Sequence, residues 1–412
     1  MNYALPLALA ALLVCSLPAA AFPGGPLHPQ PGDSSPALED GDWLAPAGDD
    51  VASGSGHVAI DASATLAADA SGLESRYDEH RLDVRLERAG SDAERRAIVR
   101  EETKELERAV VRLRERERDA YRAYHAGEID ERGLAVELAA VHSNAVDLQR
   151  SVSSLSDHVG SVAGIERGSE FEAMAVETET MQGPVRERLA GALRGEIDST
   201  RVHVEADDSD VVLATVEDDY FYREAYRADA RDPAAEPHLH SLGESEERIA
   251  ELYPEVFPAA RWSYSEVGYG TYRGVGTYTE GTIAVYLDRA TTDVYREYLE
   301  LRLDGVETAS LGNETEDGAR LSVEGTAPGG PAVVSLTNAE TDAPLSGVVS
   351  LDGQRLGSTD DEGELWLVLP HEPTTITVSV GSTTIELTVD GTAAGERASE
   401  GRIAPRTERG GL

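Results

Sequence analysis

The sequence is poor in residues that several kinds of function require. Its 412 residues include one cysteine, Cys15, and a single lysine, Lys104, among 36 basic residues. Cys15 lies in an apolar run near the N-terminus, so a chain that has lost this run contains no thiol. Cleavage that removes this run would therefore exclude disulfides, a thiol nucleophile and a cysteine metal site from the mature chain.

Basic and aromatic residues are also scarce. There are 77 acidic residues against the 36 basic ones, a net charge of −41, and only 5% of residues are aromatic. Such a surface repels nucleic acid and anionic membranes, so we predict no nucleic-acid partner. Excess acid with almost no lysine resembles the proteins of salt-loving archaea, in which molar salt shortens the screening length to about 3 Å. An acidic protein of a GC-rich mesophile is the alternative.

The N-terminus predicts export. Residues 4–17 form an uncharged apolar run, and Pro18 and three alanines follow it. This pattern predicts a signal peptide over residues 1–21, cleaved after Ala21, and an extracellular or cell-surface protein. Residues 3–22 carry no charge, which leaves an uncleaved membrane anchor as the alternative.

Residues 22–70 are rich in Pro, Gly, Ser, Asp and Ala without periodicity and predict a disordered linker. Residues 71–163 predict an antiparallel helical hairpin, a coiled coil with a break at 126–130. The second helix has apolar residues that alternate in steps of four and three, as in a heptad repeat. These are Leu134, Leu138, Val141, Ala145, Leu148, Val152, Leu155, Val159 and Val162.

Residues 168–308 predict an α+β domain. The predicted elements are a strand at 171–180, a helix at 185–197, strands at 200–206 and 211–217, helices at 220–230 and 244–257, and strands from 261 onward. Residues 282–303 are similar to the closing hairpin of PepSY-type domains. That resemblance implies a protein that inhibits or senses an extracellular enzyme.

Residues 309–318 are predicted to be a linker, and they contain the sequence Asn313-Glu314-Thr315. This is an N-glycosylation sequence in a segment expected to be exposed, which makes Asn313 a candidate modification site. Whether an exported chain is glycosylated there is left open.

Residues 319–390 alternate apolar and polar residues between turns, as an antiparallel sandwich does. Residues 338–349 and 352–370 resemble a carboxypeptidase-regulatory-like domain of the prealbumin type, although His371 and the next two residues depart from that pattern. The resemblance implies an Ig- or prealbumin-like fold and an accessory role without activity. The tail, residues 391–412, is predicted to be disordered.

Few residues point to chemistry. His238, His240 and Glu244 could supply two imidazoles and a carboxylate to zinc, but no further ligand stands at a diagnostic spacing, and solvated loop residues are the alternative. We therefore predict no metal and no cofactor. A set of tyrosines could form a recognition face or pack in a core: Tyr264, Tyr269, Tyr272 and Tyr278.

The sequence as a whole predicts a multidomain, non-enzymatic, secreted or cell-surface protein with an interaction or structural role. Its expected partners are proteins or cell-envelope components, and it would be peripheral to the membrane or anchored by its N-terminus. One alternative is a PepSY-like inhibitor or escort of an exported hydrolase. Another is a hydrolase with an unrecognised site in the middle domain.

Overall fold

The computed structural model describes residues 43–48, 50–162, 168–268 and 270–390. The predicted signal peptide, the predicted linker up to residue 42 and the predicted tail lie outside these ranges. Over the residues that are described, no helix is both long and apolar enough to cross a membrane.

Three long helices, rather than two, form the N-terminal part. They are α1 (Ala62–Arg88), α2 (Asp92–His125) and α3 (Glu131–Ser161). Each begins after a side chain that accepts hydrogen bonds from the free backbone amides of the first turn, namely Asp61, Ser91 and Asp130. The prediction of a linker over 22–70 is wrong in its last part, because strand β1 (Ala52–Ala59) and the start of α1 occupy it.

The predicted apolar face of α3 is confirmed. Eight of its nine positions are buried, and Leu148 is partly buried against the cluster that contains Val141, Ala145, Val152 and Leu155. Helix α2 runs antiparallel to α3, as the ion pair Arg116–Glu137 at 2.8 Å requires. Helix α1 lies along α3 in the parallel direction, since Ser71 bonds to Asn144 and Glu79 bonds to Ser151.

Two shorter helices follow, α4 (Ser169–Thr180) and α5 (Pro184–Arg194). Helix α5 matches the prediction from its N-terminal proline and ends at Gly195, whose φ of 71° is in the left-handed region. The strand predicted at 171–180 is wrong. Phe171, Met174 and Thr178, at helical spacing, are buried, and the acidic first turn suits a helix N-terminus.

The middle of the chain forms an eight-stranded antiparallel sheet with the order β1-β2-β3-β4-β8-β7-β6-β5. Its other strands are β2 (Ser199–Ala206), β3 (Val211–Glu217), β4 (Tyr220–Tyr226), β5 (Arg261–Gly268), β6 (Thr271–Thr277), β7 (Gly281–Asp288) and β8 (Val294–Arg302). The helix predicted at 220–230 is wrong, because a two-residue turn at Asp218, with φ of 52°, folds β4 back on β3. The hairpin predicted at 282–303 is confirmed as β7–β8.

The C-terminal part is a sandwich of two four-stranded antiparallel sheets, β14-β11-β10-β9 and β13-β12-β15-β16. Its strands are β9 (Ala309–Glu316), β10 (Ala319–Gly325), β11 (Pro331–Asn338), β12 (Val348–Leu351), β13 (Gln354–Ser358), β14 (Glu364–Val368), β15 (Thr374–Val380) and β16 (Thr383–Val389). The predicted sandwich is confirmed. The linker predicted at 309–318 is wrong, because β9 belongs to the sandwich.

Both faces of the eight-stranded sheet are covered. Val202, Val204 and Leu213 of one face share an apolar core with α2, α3 and α5. The other face packs against helices α6 (Leu242–Leu252) and α7 (Val256–Ala259) and against Trp366 and Val368 of the sandwich. A sheet covered on both sides can bury charged side chains on either face if each of them has a partner.

Candidate functional site

The predicted metal ligands are not arranged around a common centre. His238, His240 and Glu244 are all exposed. The Glu244 carboxylate accepts a hydrogen bond of 2.6 Å from the His240 backbone amide, and the Glu244 amide donates to the Ser241 side chain, which begins α6. Glu244 therefore caps a helix. Within the described ranges, no three His, Cys, Asp or Glu side chains form a group that could hold a metal.

Asn313 lies on β9, at the edge of its sheet, and is exposed opposite Ser322. The sequence prediction placed it in a linker, whereas the structure places it on an edge strand. The side chain faces solvent in both cases, so Asn313 stays a candidate for glycosylation.

The tyrosines proposed as a recognition face separate into two environments. Tyr272 is buried in the sheet core. Tyr264 stacks on Trp262, with ring centroids 6.1 Å apart, and Trp262 stacks on Phe257 at 5.8 Å. This second group forms an aromatic row that runs from Phe257 of α7 to Trp262 and Tyr264 on edge strand β5. Tyr269 lies outside the described residues.

A cluster of buried charges joins the helices to the sheet. We call Arg114, Glu117, Arg186, Glu224 and Arg296 the helix-side ion cluster. Glu117 of α2 pairs with the Arg114 guanidinium at 2.6 Å and also with Arg186 of α5. The Arg186 Nε donates to the Glu224 carboxylate of β4 at 2.8 Å, and Arg296 of β8 lies 3.8 Å from the same carboxylate. One guanidinium thus links two carboxylates from different elements.

Neutral groups complete this cluster. Tyr121 donates to Glu117 and accepts from Arg186, both at 2.8 Å. The other Glu224 oxygen accepts from the backbone amide of Val185 at 3.1 Å, in the first turn of α5, where free amides favour an anion. A side chain at Gly183 would collide with that carboxylate, at 1.9 Å from the Cβ position. Glycine is therefore required where Glu224 approaches the helix.

The electrostatics of the cluster do not suit acid–base catalysis. Burial by itself would raise the pKa of Glu117, but the charges of Arg114 and Arg186 outweigh it and lower the pKa to about 2. Burial raises the pKa of the Tyr121 hydroxyl. A general acid or base works best with a pKa near the operating pH, and neither group meets that condition.

A second cluster, on the opposite face, holds the N-terminal strap, which we define as residues 43–48. Arg223 pairs with Glu297 at 2.7 Å and donates to the Leu44 carbonyl at 2.7 Å. The other Glu297 oxygen accepts from the Tyr253 hydroxyl at 2.7 Å and from the Leu44 amide at 3.2 Å. The Trp43 ring lies between Phe221, 6.0 Å away, and the Arg223 guanidinium, 5.1 Å away.

The far end of the strap is bound by the turn between β2 and β3. The Ala47 amide donates to Asp210 at 3.1 Å and the Gly48 amide donates to Asp207 at 3.3 Å. The composition of residues 22–70 predicts an unattached linker, yet the strap is fixed by three carboxylates. Trp43 and Leu44, two isolated apolar residues in this stretch, were the sequence signal that it could dock.

A third cluster joins the sheet to the sandwich. Glu205 of β2 is buried and contacts His203 Nε2 at 3.0 Å and His371 Nδ1 at 2.5 Å. Burial would raise the pKa of Glu205, but the hydrogen bonds from the two histidines lower it well below its usual range. An ionised carboxylate can only accept hydrogen bonds, so both imidazoles donate to it.

Three family models match consecutive parts of the chain. Residues 1–198 match a domain of unknown function, DUF7096; residues 202–307 match a family of unknown function, DUF7094; and residues 312–387 match an archaeal fibronectin-III type-like domain. No curated protein and no solved structure matches the chain.

These matches describe a multidomain protein of archaeal type, with a helical N-terminal region and a C-terminal fibronectin-III-like β-structure. The matching C-terminal model is thus of the fibronectin-III type, and the prealbumin-type resemblance over residues 338–370 is not confirmed. The PepSY-like resemblance of residues 282–303 stays a prediction, since the model over this region is DUF7094.

The buried clusters lie across the boundaries of these models. Glu117 and Arg186 belong to the first region and Glu224 to the second, while Glu205 belongs to the second and His371 to the third. Sequence reasoning missed all five residues because charged side chains are usually solvated. A signal existed only for Glu224, which stands inside an aromatic-rich segment from Tyr220 to Tyr226.

Proposed function

We infer that this chain is a non-catalytic interaction or structural protein that works outside the cytoplasmic membrane of a salt-loving archaeon. The observation that carries this proposal is that the buried carboxylates pair with cationic or imidazole groups and so join different elements of the fold. Glu117, Glu224 and Glu205 are each committed to guanidinium or imidazole partners that belong to other elements of the fold. Groups held in this way fasten elements together and are not free to react.

The consequence is a single platform made from three sequence regions. Strand β1, from the DUF7096 region, pairs along its whole length with β2, most of which belongs to the DUF7094 region; the pairing runs from Ala52 opposite Ala206 to Ala59 opposite Ser199. His371 then fixes the sandwich to the same strand through Glu205. Such a platform suits a surface protein whose helical region acts as a spacer, with a coiled-coil seam along α3, and whose partners are proteins or cell-envelope components. No cofactor is required.

The location is tested with a tagged full-length chain expressed in a halophilic archaeon. We expect the protein in the medium or on the cell surface, beginning at Phe22. A chain that begins at Met1 and is recovered with membranes would favour the uncleaved anchor. Recovery of the chain from the cytoplasm would refute the proposal.

The alternative of an inhibitor or escort is suggested by the PepSY-like hairpin, β7–β8. This hairpin lies inside the sheet, between β4 and β6, so it offers no free strand edge to an enzyme. Co-purification distinguishes the two functions. An inhibitor or escort should recover one dominant hydrolase whose rate changes when the purified chain is added. Turnover of chromogenic ester, peptide or glycoside substrates by the purified chain would instead support the hydrolase alternative.

A further inference from the structure

The junction between the eight-stranded sheet and the sandwich contains two arginines that have no partner of opposite charge among the described residues. Arg201 lies on β2 and is half-buried, and Arg355 lies on β13 and is exposed. Over the described part of the chain, neither guanidinium has an ion pair or a side-chain hydrogen bond. By contrast, Arg186, which also joins two parts of the fold, contacts a carboxylate directly.

The two arginines share one place in the fold. The Arg201 Nη atoms lie 3.7 and 3.8 Å from the Cβ position of Gly357, two residues after Arg355 on the same strand. Burial lowers the pKa of Arg201, and the positive charge of Arg355 lowers it further. Two positive charges that repel one another at a partly buried junction destabilise the folded chain, and an anion bound between them would remove that repulsion.

The surroundings favour an anion. His57 stands opposite Arg201 in the β1–β2 ladder. Arg201, His203 and Ser55 line a cavity of about 40 Å³ together with apolar side chains, and Arg355 does not line it. A cavity of this size holds roughly one or two water molecules or a monatomic ion such as chloride, so a sulfate would have to lie outside it, nearer to the exposed Arg355. The nearby Glu205 carboxylate is already held by two histidines, so it is not available to Arg201.

The junction is also fixed in place. The Gln354 side-chain amide donates to the Ser55 carbonyl at 2.9 Å, which ties β13 to β1 beside the two arginines. Trp366 lines the same cavity. The site therefore needs no rearrangement of the modules in order to bind a ligand.

We propose that Arg201 and Arg355 bind a small inorganic anion, chloride or sulfate, at the junction of the sheet and the sandwich. The ligand neutralises the two guanidinium groups and stabilises the contact between the two modules. Chloride and sulfate share the required chemistry, and the experiment separates them.

The test measures the melting temperature of the full-length chain while chloride replaces gluconate at constant ionic strength. A second series replaces gluconate with sulfate. Constant ionic strength keeps general screening unchanged, so only specific binding raises the melting temperature. At an anion concentration about ten times Kd, we expect a saturable rise of roughly 2–4 °C. The anion that saturates at the lower concentration is the preferred ligand.

The variants are Arg201→Gln and Arg355→Gln, with Arg261→Gln as the control. Arg261 is an exposed arginine on edge strand β5, so its substitution removes the same charge at the opposite edge of the sheet. We expect both junction variants to lose the saturable rise and the control to keep it. Because Arg355 is exposed, its variant should fold even if the Arg201 variant does not.

Bromide provides a second readout, since crystals soaked in it should show anomalous density between the two guanidinium groups. Equal anion responses in the wild type and in Arg355→Gln, or no bromide at the junction, would overturn the proposal. A short polyglutamate peptide could instead raise the melting temperature in a saturable way while chloride and sulfate have no effect. That result would point to an acidic protein partner and would also overturn the proposal of an inorganic anion.

Discussion

The Arg186 guanidinium and the Glu224 carboxylate meet at 2.8 Å, and both side chains are almost completely buried. Arg186 lies in the first turn of α5, and Glu224 lies in the middle of β4. The pair therefore connects the helical region to the sheet through charges that water does not reach. Removal of one member takes the closest opposite charge away from the other, which stays buried and incompletely paired, and this is costly.

We expect Arg186→Met to lower the free energy of unfolding by about 3–5 kcal/mol, because Glu224 loses its closest guanidinium partner and Glu117 keeps only Arg114. The measurement is urea unfolding of the full chain in molar salt. Arg302→Gln is the control, since Arg302 and its partner Asp304 are exposed and such a pair contributes about 0–1 kcal/mol. Similar losses from the two substitutions would contradict the structural role of Arg186.

Acid should weaken the helix-side ion cluster. The pKa of Glu117 is about 2 in the folded chain and 4.5 in the reference state. As the pH falls, the unfolded chain takes up the proton first, so stabilisation by Glu117 is complete above pH 4.5 and is lost between pH 4.5 and 2. Glu117→Gln should therefore melt at a lower temperature than the wild type at pH 7, and the difference should narrow below pH 4.5.

Melting curves of both proteins from pH 7 to 3 check this expectation. A difference in melting temperature that stays constant over the whole pH range would mean that the arginine partners do not lower the pKa of Glu117. The pKa of Glu205 is also lowered, so Glu205 will add to the fall in melting temperature at acid pH in both proteins. The difference between the two proteins therefore reports on Glu117 alone.

The sequence predicted regular elements best where one physical pattern dominates. The heptad spacing of α3, the proline at the start of α5 and the turns of the sandwich all gave correct elements. The segments 171–180 and 220–230 were assigned to the wrong type, because short stretches that mix charged and apolar residues suit both a helix and a strand. Their neighbours in space, α3 for the first and β3 and β8 for the second, decided the outcome.

The buried clusters could not be predicted, because their members lie far apart in the chain. Glu117 and Arg186 are separated by 69 residues, and Glu205 and His371 by 166. A single sequence does not show which of 77 acidic residues meets which base. The Asn313 sequence was recognisable because a glycosylation signal is local.

The apolar face of α3 should tolerate no charge. Leu155 is completely buried in the core between α1, α2 and α3, whereas Ser153, two residues earlier, is exposed. Leu155→Asp should cost at least about 3 kcal/mol, because it removes apolar contacts and buries a carboxylate without a partner. Ser153→Asp introduces the same charge and should cost less than about 0.5 kcal/mol. Equal losses in thermal unfolding would show that the buried face is misassigned.

The N-terminal strap should detach when Trp43 is removed. Trp43→Ala deletes the ring between Phe221 and Arg223, which should lower stability by about 2 kcal/mol. Hydrogen exchange at the Leu44, Ala47 and Gly48 amides is the direct measurement, since each donates to a carboxylate. We expect their protection to fall in Trp43→Ala and to be largely retained in Trp43→Phe. Unprotected amides in the wild type would show that the strap is not bound in solution.

Salt should be required for the whole fold if the protein comes from a salt-loving organism. With 77 acidic and 36 basic residues, unscreened carboxylates repel one another across the surface, and dilution from molar to 0.1 M salt lengthens the screening distance from about 3 to about 10 Å. Circular dichroism of the full chain should therefore lose helix and strand signal on dialysis to about 0.1 M salt. Sucrose at matched osmotic pressure is the control, because it strengthens apolar burial without screening charge. If sucrose fully restored the helix and strand signal at low salt, the salt requirement would come from apolar burial rather than from screening of charge. An unchanged spectrum at low salt would refute the adaptation to high salt.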